Sequence, residues 1–289
     1  MTAEPAAMDV ASTEHASGKG SGDENFPVGS WLIAAPLRRH VHAFYRFARN
    51  ADDVADAPDL TASDKLARLD RMAAVLDGAP GGDCPAAAAM HVSLQQTGID
   101  AAHCHALLDA FRQDAVKRRY ADWSELMGYC QLSAAPVGRY LLDLHGESQD
   151  SWPASDALCA ALQVINHLQD CADDYRRLDR VYVPEDWLAA EQATASDLAA
   201  PACSPGLRRT LDRVVAATEP LVASAGRLPP GIKDRGLRTE AAVIVALAER
   251  LLARLARQDP LARRVKLGPL GMSWAALTGL LRAVAGGCP

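Results

Sequence analysis

Between Pro36 and Ala285 the apolar residues recur at intervals of three and four, the spacing that stacks side chains on one face of a helix. Strand-like alternation is nearly absent. Over 36–56, Leu37, Val41, Phe44, Tyr45, Ala48, Ala51 and Ala55 follow the helical interval. Pro36 suits a first helical turn, because its missing N–H would have had no partner there, and Pro58 ends the segment. Thr61 with Asp64 reads as a capping box for a helix that stops near Gly78. A loop is expected around Gly81. Asp100 can cap a helix through Lys117. Asp122 with Glu125 opens another that ends at Gly146, and Ser155 caps one through about Leu178. Pro184 and the polar stretch 192–205 mark a looser connection. Helices are expected at 206–226, 230–258 and 274–285; within 230–258, Leu237, Ala241, Ile244, Val245, Ala248, Leu251 and Leu255 form one apolar face. The fold class is therefore all-α: a single domain of roughly ten closely packed, Ala-rich helices over 23–289. Residues 1–22, rich in Ala, Ser, Gly and Glu, read as a disordered tail with no signal-peptide core.

Charge and cysteine usage exclude several function classes. The net charge is −6 with no long run of Lys and Arg, which argues against nucleic-acid binding. Seven cysteines, an odd number without a C-x-x-C pair, argue against a disulfide framework or thiolate zinc site and for reduced thiols in the cytoplasm. His103-Cys104-His105 is no metal site, because adjacent residues on a helix point apart. No run of about 18 apolar residues is present, so no transmembrane helix is expected.

One motif occurs twice. Asp52 and Asp56 are four residues apart, and so are Asp170 and Asp174. On a helix each pair falls on one face, where like charges repel. A surface helix gains nothing from that arrangement, whereas Mg²⁺ takes oxygen ligands, often one or two carboxylates, and leaves positions for water and phosphate. Both pairs lie in otherwise apolar helices, and Asn166 extends the second into a polar stripe with Asp170 and Asp174, with Gln163 beside it. Two such helices facing across an apolar cavity would clamp a diphosphate and leave its tail in the cavity. Asp52-Asp53-Val54-Ala55-Asp56 can equally be read as D-D-x-x-D, which leaves Asp53, like Asp173, either a ligand or a supporting partner.

These residues resemble the squalene/phytoene synthase family. The resemblance rests on Tyr45-Arg-Phe-Ala-Arg49-Asn-Ala-Asp52-Asp53-Val-Ala-Asp56, on Gln163-Val-Ile-Asn166-His-Leu-Gln-Asp170-Cys-Ala-Asp173-Asp174, on Arg180-Val-Tyr182-Val-Pro184, and on Tyr129-Cys130 through Pro136-Val137-Gly138. It implies an isoprenoid-synthase-type helical bundle around a central apolar cavity. Within the family, Glu24-Asn-Phe26-Pro-Val-Gly-Ser-Trp31 and Gln169 are similar to the hydroxysqualene synthase branch, where most relatives carry an arginine in place of Gln169.

The resemblance implies an enzyme of hopanoid biosynthesis that turns presqualene diphosphate into hydroxysqualene. It implies Mg²⁺, about three ions, held by Asp52, Asp56, Asp170 and Asp174, and no NADPH. Arg49 is the side chain for a phosphate contact or else an ion pair with Asp53, and Lys117-Arg118-Arg119 either closes over the head group or is a solvated helix end. By family position Phe26, Tyr45 and Tyr129 offer aromatic faces to a passing carbocation, and the two tyrosine hydroxyls can orient diphosphate or water. Phe26, Val137, Gly138, Gln163 and Asn166 are the further substrate-binding candidates; Phe44 and Phe47 read as core. Alternatives are head-to-head condensation of two farnesyl diphosphates, or a non-catalytic binding relative. Partners would be these diphosphates, sister enzymes of the pathway and, transiently, the inner face of the membrane, where the stretch 267–274 could dip into lipid.

Overall fold

A computed structural model describes Thr13 and residues 32–285. The expectations for Phe26 and for 24–31 lie outside the described residues. Among the described residues twelve α-helices follow one another: α1 (Ala35–Asp56), α2 (Ala62–Leu76), α3 (Pro85–Thr97), α4 (Ala102–Val116), α5 (Trp123–Ser133), α6 (Ala135–Leu144), α7 (Trp152–Leu178), α8 (Glu185–Ala190), α9 (Pro205–Ala225), α10 (Leu228–Gly231), α11 (Arg235–Leu255) and α12 (Pro269–Ala285). Among the described residues the only strand-like pairing is a single bridge between Arg119 and Val181.

Local chemistry places most boundaries. The Asp64 N–H donates to Thr61 Oγ1 at 3.2 Å, and the Thr61 N–H donates back to Asp64 Oδ2 at 3.3 Å, closing the capping box of α2. The Ala102 N–H donates to Asp100 Oδ1 at 2.8 Å and starts α4. The helix expected from Asp122 to Gly146 is two, broken at Ala134, because Pro136 has no N–H to continue the ladder of α5. The helix expected over 230–258 also divides: Asp234 Oδ1 accepts from the Leu237 N–H at 2.8 Å and starts α11 afresh. Helix α7 begins at Trp152, three residues before Ser155, with Pro153 in its first turn. Helix α3 was not expected at all. Its Ala86–Ala89 run has no apolar period to read, although Gly98 at φ +70° ends it in the ordinary left-handed way.

The buried side chains form two main clusters. One joins α1, α2, α3 and α4, with Phe47, Leu69, Met72, Met90 and Leu108 at its centre. The other joins α5, α7, α9 and α11 through Leu126, Ile165, Leu211 and Leu251. Helix α6 bridges them. Tyr140 stacks on Phe44 of α1 with ring centroids 4.0 Å apart, and Gly138 meets α7 so closely that a Cβ would lie 2.2 Å from Ser155 Oγ. Phe44 and Phe47 are thus core residues, as expected. The two aspartate pairs lie on different sides of this seam, one on α1 and one on α7.

Candidate active site

Asp52, Asp53 and Asp56 occupy the last turns of α1, where the helix dipole adds further negative charge. The surroundings answer with cations. Arg49 reaches Asp52 at 3.0 Å and Asp53 at 3.3 Å. The Lys65 ammonium, buried on α2, donates to the Ala55 carbonyl at 2.8 Å. Arg180 is the deepest of the three, 5% exposed. Its Nη1 donates to Asp56 Oδ1 at 2.5 Å, and its Nη2 donates to the carbonyls of Ala55 at 3.0 Å and Asp114 at 2.9 Å. Burial, and then the charge of Asp56, push the Asp52 carboxyl well above the usual carboxylate range despite Arg49.

Arg180 reaches α1 because of how α7 ends. Asp179 takes a left-handed conformation, φ 53°, and reverses the chain within one residue. The next residues run back along the end of α4, where the Val181 N–H donates to the Arg118 carbonyl at 2.9 Å. The Lys117-Arg118-Arg119 cluster belongs to this turn. Arg118 donates to the Leu178 carbonyl, and Arg119 Nη2 donates to Asp179 Oδ1 at 2.6 Å. Lys117 pairs with Glu125 and lies 4.7 Å from the Tyr120 ring centre. The cluster is more than a solvated end: Arg118 and Arg119 clasp the carbonyl end of α7.

Asp114 is the residue sequence reasoning missed. It is buried at the end of α4, and its carboxylate accepts from Tyr129 Oη at 2.7 Å and from Tyr182 Oη at 3.1 Å. Burial raises its pKa to about 6, against the pull of Arg180 and the two hydroxyls. Tyr129, Tyr182, Tyr120 and His167 form an aromatic wall around it, with His167 stacked on Tyr182 at 3.5 Å. The hydroxyls of Tyr129 and Tyr182 are held well above their ordinary pKa by burial and then by the Asp114 charge, so both stay protonated donors. Burial, then Arg180, lower His167 to about 3, so its ring is neutral. Asp114 has no second carboxylate at helical spacing, and Lys117 and Arg118, three and four residues on, make it read as an ordinary ion-paired helix residue.

The second pair sits on α7. The Asp174 carbonyl accepts from the Arg180 N–H at 3.2 Å, so the last turn of α7 leads directly into Arg180, which reaches Asp56, and Tyr182, which reaches Asp114. Asp170, one turn earlier, is gripped by Arg264, with Nε 2.7 Å from Oδ1 and Nη2 2.8 Å from Oδ2. Gln169 sets up that grip. It is buried, and its Nε2 donates to the Val265 carbonyl at 2.5 Å, fastening the segment that carries Arg264 onto α7. An arginine therefore reaches the second acidic pair from a distant part of the chain, held there by Gln169.

The remaining candidates are placed less tightly. Tyr45 is half-buried on α1; Gln163 and Asn166 are half-buried on α7. Val137 packs against the α1–α4 cluster, and Gly138 is explained by its contact with Ser155 and Cys159. His103 pairs with Asp143 and His105 with Asp77, each at 2.8 Å, so the histidines around Cys104 serve different partners.

No three His, Cys, Asp or Glu side chains among the described residues gather closely enough to hold a metal ion alone. Two pairs, each offering carboxylates on one helix face, still fit Mg²⁺, which shares its shell with water and phosphate. Burial first, and then the charge of Asp56, disfavour the Asp52 carboxylate, and a divalent cation would offset both.

A family model described as squalene/phytoene synthase matches residues 20–270. The chain is 46% identical over 261 residues to a hydroxysqualene synthase of Rhodopseudomonas palustris, covering 90% of this chain and 89% of the relative. It is 45% identical over 270 residues to one of Zymomonas mobilis, covering 92% and 91%. Among solved structures, the squalene synthase HpnC from Alicyclobacillus acidocaldarius superposes with a TM-score of 0.71 at 32% identity, over 80% of this chain and 87% of that one. A dehydrosqualene synthase superposes at 0.75 with 19% identity, over 91% and 93%, a likeness of fold. The two acidic helices, the cations that answer them and these matches together place the chain in the squalene/phytoene synthase family, as an enzyme that processes isoprenoid diphosphates.

Proposed function

We propose that this enzyme converts presqualene diphosphate and water to hydroxysqualene and diphosphate. The observation that carries the reading is the segment that follows α7: the Arg180 N–H donates to the Asp174 carbonyl, the Arg180 guanidinium reaches Asp56, and Tyr182 reaches Asp114. Asp52 and Asp56 on one side, and Asp170 and Asp174 on the other, would hold about three Mg²⁺ ions. Bound Mg²⁺ supplies Lewis-acid neutralisation of the departing diphosphate. The chain's own residues do the rest. Arg49 and Arg264 already stand on acidic ligands and lie where diphosphate oxygens would exchange for carboxylates. The C–O bond breaks with its electron pair leaving on diphosphate. The wall of Tyr129, Tyr182 and His167 presents π faces and a neutral imidazole to the carbocation. Asp114 keeps both tyrosine hydroxyls turned toward itself. Water then adds to the cation and loses a proton, so no reductant enters and NADPH is not required.

The reading places the enzyme in the cytoplasm, between an enzyme that condenses two farnesyl diphosphates and a reductase that consumes the alcohol, as in hopanoid biosynthesis. Greasy substrate and product call for transient contact with a bilayer. Product analysis tests the reaction. Purified protein with presqualene diphosphate and Mg²⁺ should give hydroxysqualene with or without NADPH. Squalene formed only with NADPH, or turnover of farnesyl diphosphate instead, would overturn it.

A further inference from the structure

Helix α12 is packed inside out. Its small residues Ala275 and Gly279 face α11, and a Cβ on Gly279 would lie 2.5 Å from the Val243 backbone. Its large apolar residues point the other way. Leu270, Trp274, Leu277 and Leu281 stand at i, i+4, i+7 and i+11, one stripe on the face opposite Ala275, and are 88%, 56%, 46% and 61% exposed. Such a contiguous exposed stripe marks a contact surface. The stripe is about 16 Å long at the rise of a helix.

The charge beside the stripe identifies what covers it. The chain as a whole carries −6, yet residues 249–289 hold seven Lys and Arg against Glu249 and Asp259, and five of the seven remain after Arg282 pairs with Glu249 and Arg264 with Asp170. Arg250 lies 5.9 Å from the Trp274 ring centre, and Arg254 donates to the Lys266 carbonyl where the chain turns into α12. Arg257, Arg263 and Lys266 are exposed on the approach. An apolar helix face edged by cations on an otherwise acidic protein is the pattern of a helix lying in the headgroup layer of an anionic bilayer. No helix among the described residues is long and apolar enough to cross a membrane, so the contact is one of lying on the surface. We infer that α12 docks the enzyme onto anionic lipid through Leu270, Trp274, Leu277 and Leu281. The segment that feeds α12 also carries Arg264 and Val265, the residues fastened to Asp170 and Gln169, so the docked face and the second acidic pair share one stretch of chain.

This deepens the bilayer contact of the reading above, but its test needs no substrate. The full chain is sedimented with vesicles of phosphatidylcholine alone and of phosphatidylcholine mixed with phosphatidylglycerol. It should pellet with the mixed vesicles, less so as salt is raised, and scarcely with the neutral ones. Leu277→Ser combined with Leu281→Ser should weaken partitioning by roughly tenfold or more, since two half-exposed leucines withdrawn from lipid together cost at least that factor. Lys266→Glu with Arg257→Glu should abolish the preference for anionic vesicles. Both variants should melt at the parent temperature and keep parent turnover of detergent-dispersed presqualene diphosphate, because the stripe touches neither core nor site. Parent chain that stays in the supernatant overturns the inference. So does a double-serine variant that pellets like the parent, one that melts lower and thereby shows the stripe is covered by the chain itself, or a parent dimer that the variant loses. If the chain pellets as expected but does not turn over presqualene diphosphate, the reaction fails and the docking stands.

Discussion

Arg180 Nη1 stands 2.5 Å from Asp56 Oδ1 while the other arm of the same guanidinium spans the carbonyls of Ala55 and Asp114. One planar group thus sets the rotamer of Asp56 and holds the ends of α1 and α4 together. A lysine cannot do this, since it is a point charge without a fork. Arg180→Lys should therefore fold but bind Mg²⁺ about 10–100-fold more weakly, the usual cost of losing a partner that orients a ligand. Arg180→Gln, which leaves Asp114 buried without a cation, should also lose about 3–5 kcal/mol of stability. Magnesium titration of turnover, read beside thermal melts, separates the two effects.

Asp52 is expected to show the opposite split. Its charge is disfavoured in the protein by burial and by Asp56. Asp52→Asn should leave the melting temperature unchanged or higher without metal, yet lower kcat more than about 100-fold, beyond the loss expected from a merely orienting partner. A variant that is both unstable and inactive would point to a structural role instead.

Glu240 gives a pH dependence away from the site. It is buried on α11, its Oε2 has no hydrogen-bond partner, and burial raises its pKa from 4.5 to about 7. Below 4.5 it is protonated in both folded and unfolded chains. Between 4.5 and about 7 the unfolded chain ionises first, so stability falls as pH rises, and above that it levels off. The loss is on the order of 3 kcal/mol. In Glu240→Gln this part of the slope should vanish, with a higher melting temperature than the parent at pH 8 and little difference at pH 4 (both pH values chosen to lie roughly outside the titration window).

Gly138 separates packing from substrate contact. An added methyl would meet Ser155 Oγ at 2.2 Å and Cys159 Sγ at 2.8 Å, where α6 crosses α7. Gly138→Ala should cost about 1–3 kcal/mol by overpacking. If packing is the whole reason for the glycine, Ser155→Ala in the same chain recovers part of the lost melting temperature; unchanged stability in Gly138→Ala alone would return the residue to the substrate list.

The helices and the four aspartates were legible because both depend on local spacing. The period of apolar residues outlines α1, α7 and α11, and the capping box at Thr61 places the start of α2 to the residue. Failures occurred where local rules are silent or compete. The alanine run of α3 has no period, and Pro136 and Asp234 each divide what periodicity alone reads as one helix. The partners of the aspartates were less visible still. Asp114, Lys65 and Arg264 reach the site only through tertiary packing, Arg264 from 94 residues beyond Asp170, and no spacing rule connects them. Arg180 and Tyr182 were quoted for resemblance alone, without the roles that their contacts give them.

Three of the acidic residues expected to grip metal already have a counter-ion supplied by the chain itself: Arg49 at Asp52, Arg180 at Asp56 and Arg264 at Asp170. Arg49 serves Asp53 as well, so the acidic helix ends are only partly neutralised. In the proposed reaction these guanidinium groups would trade carboxylates for phosphate oxygens as divalent ions bind. A head group that is strongly anionic would then meet arginines already in place at the entrance, and a weaker repulsive field.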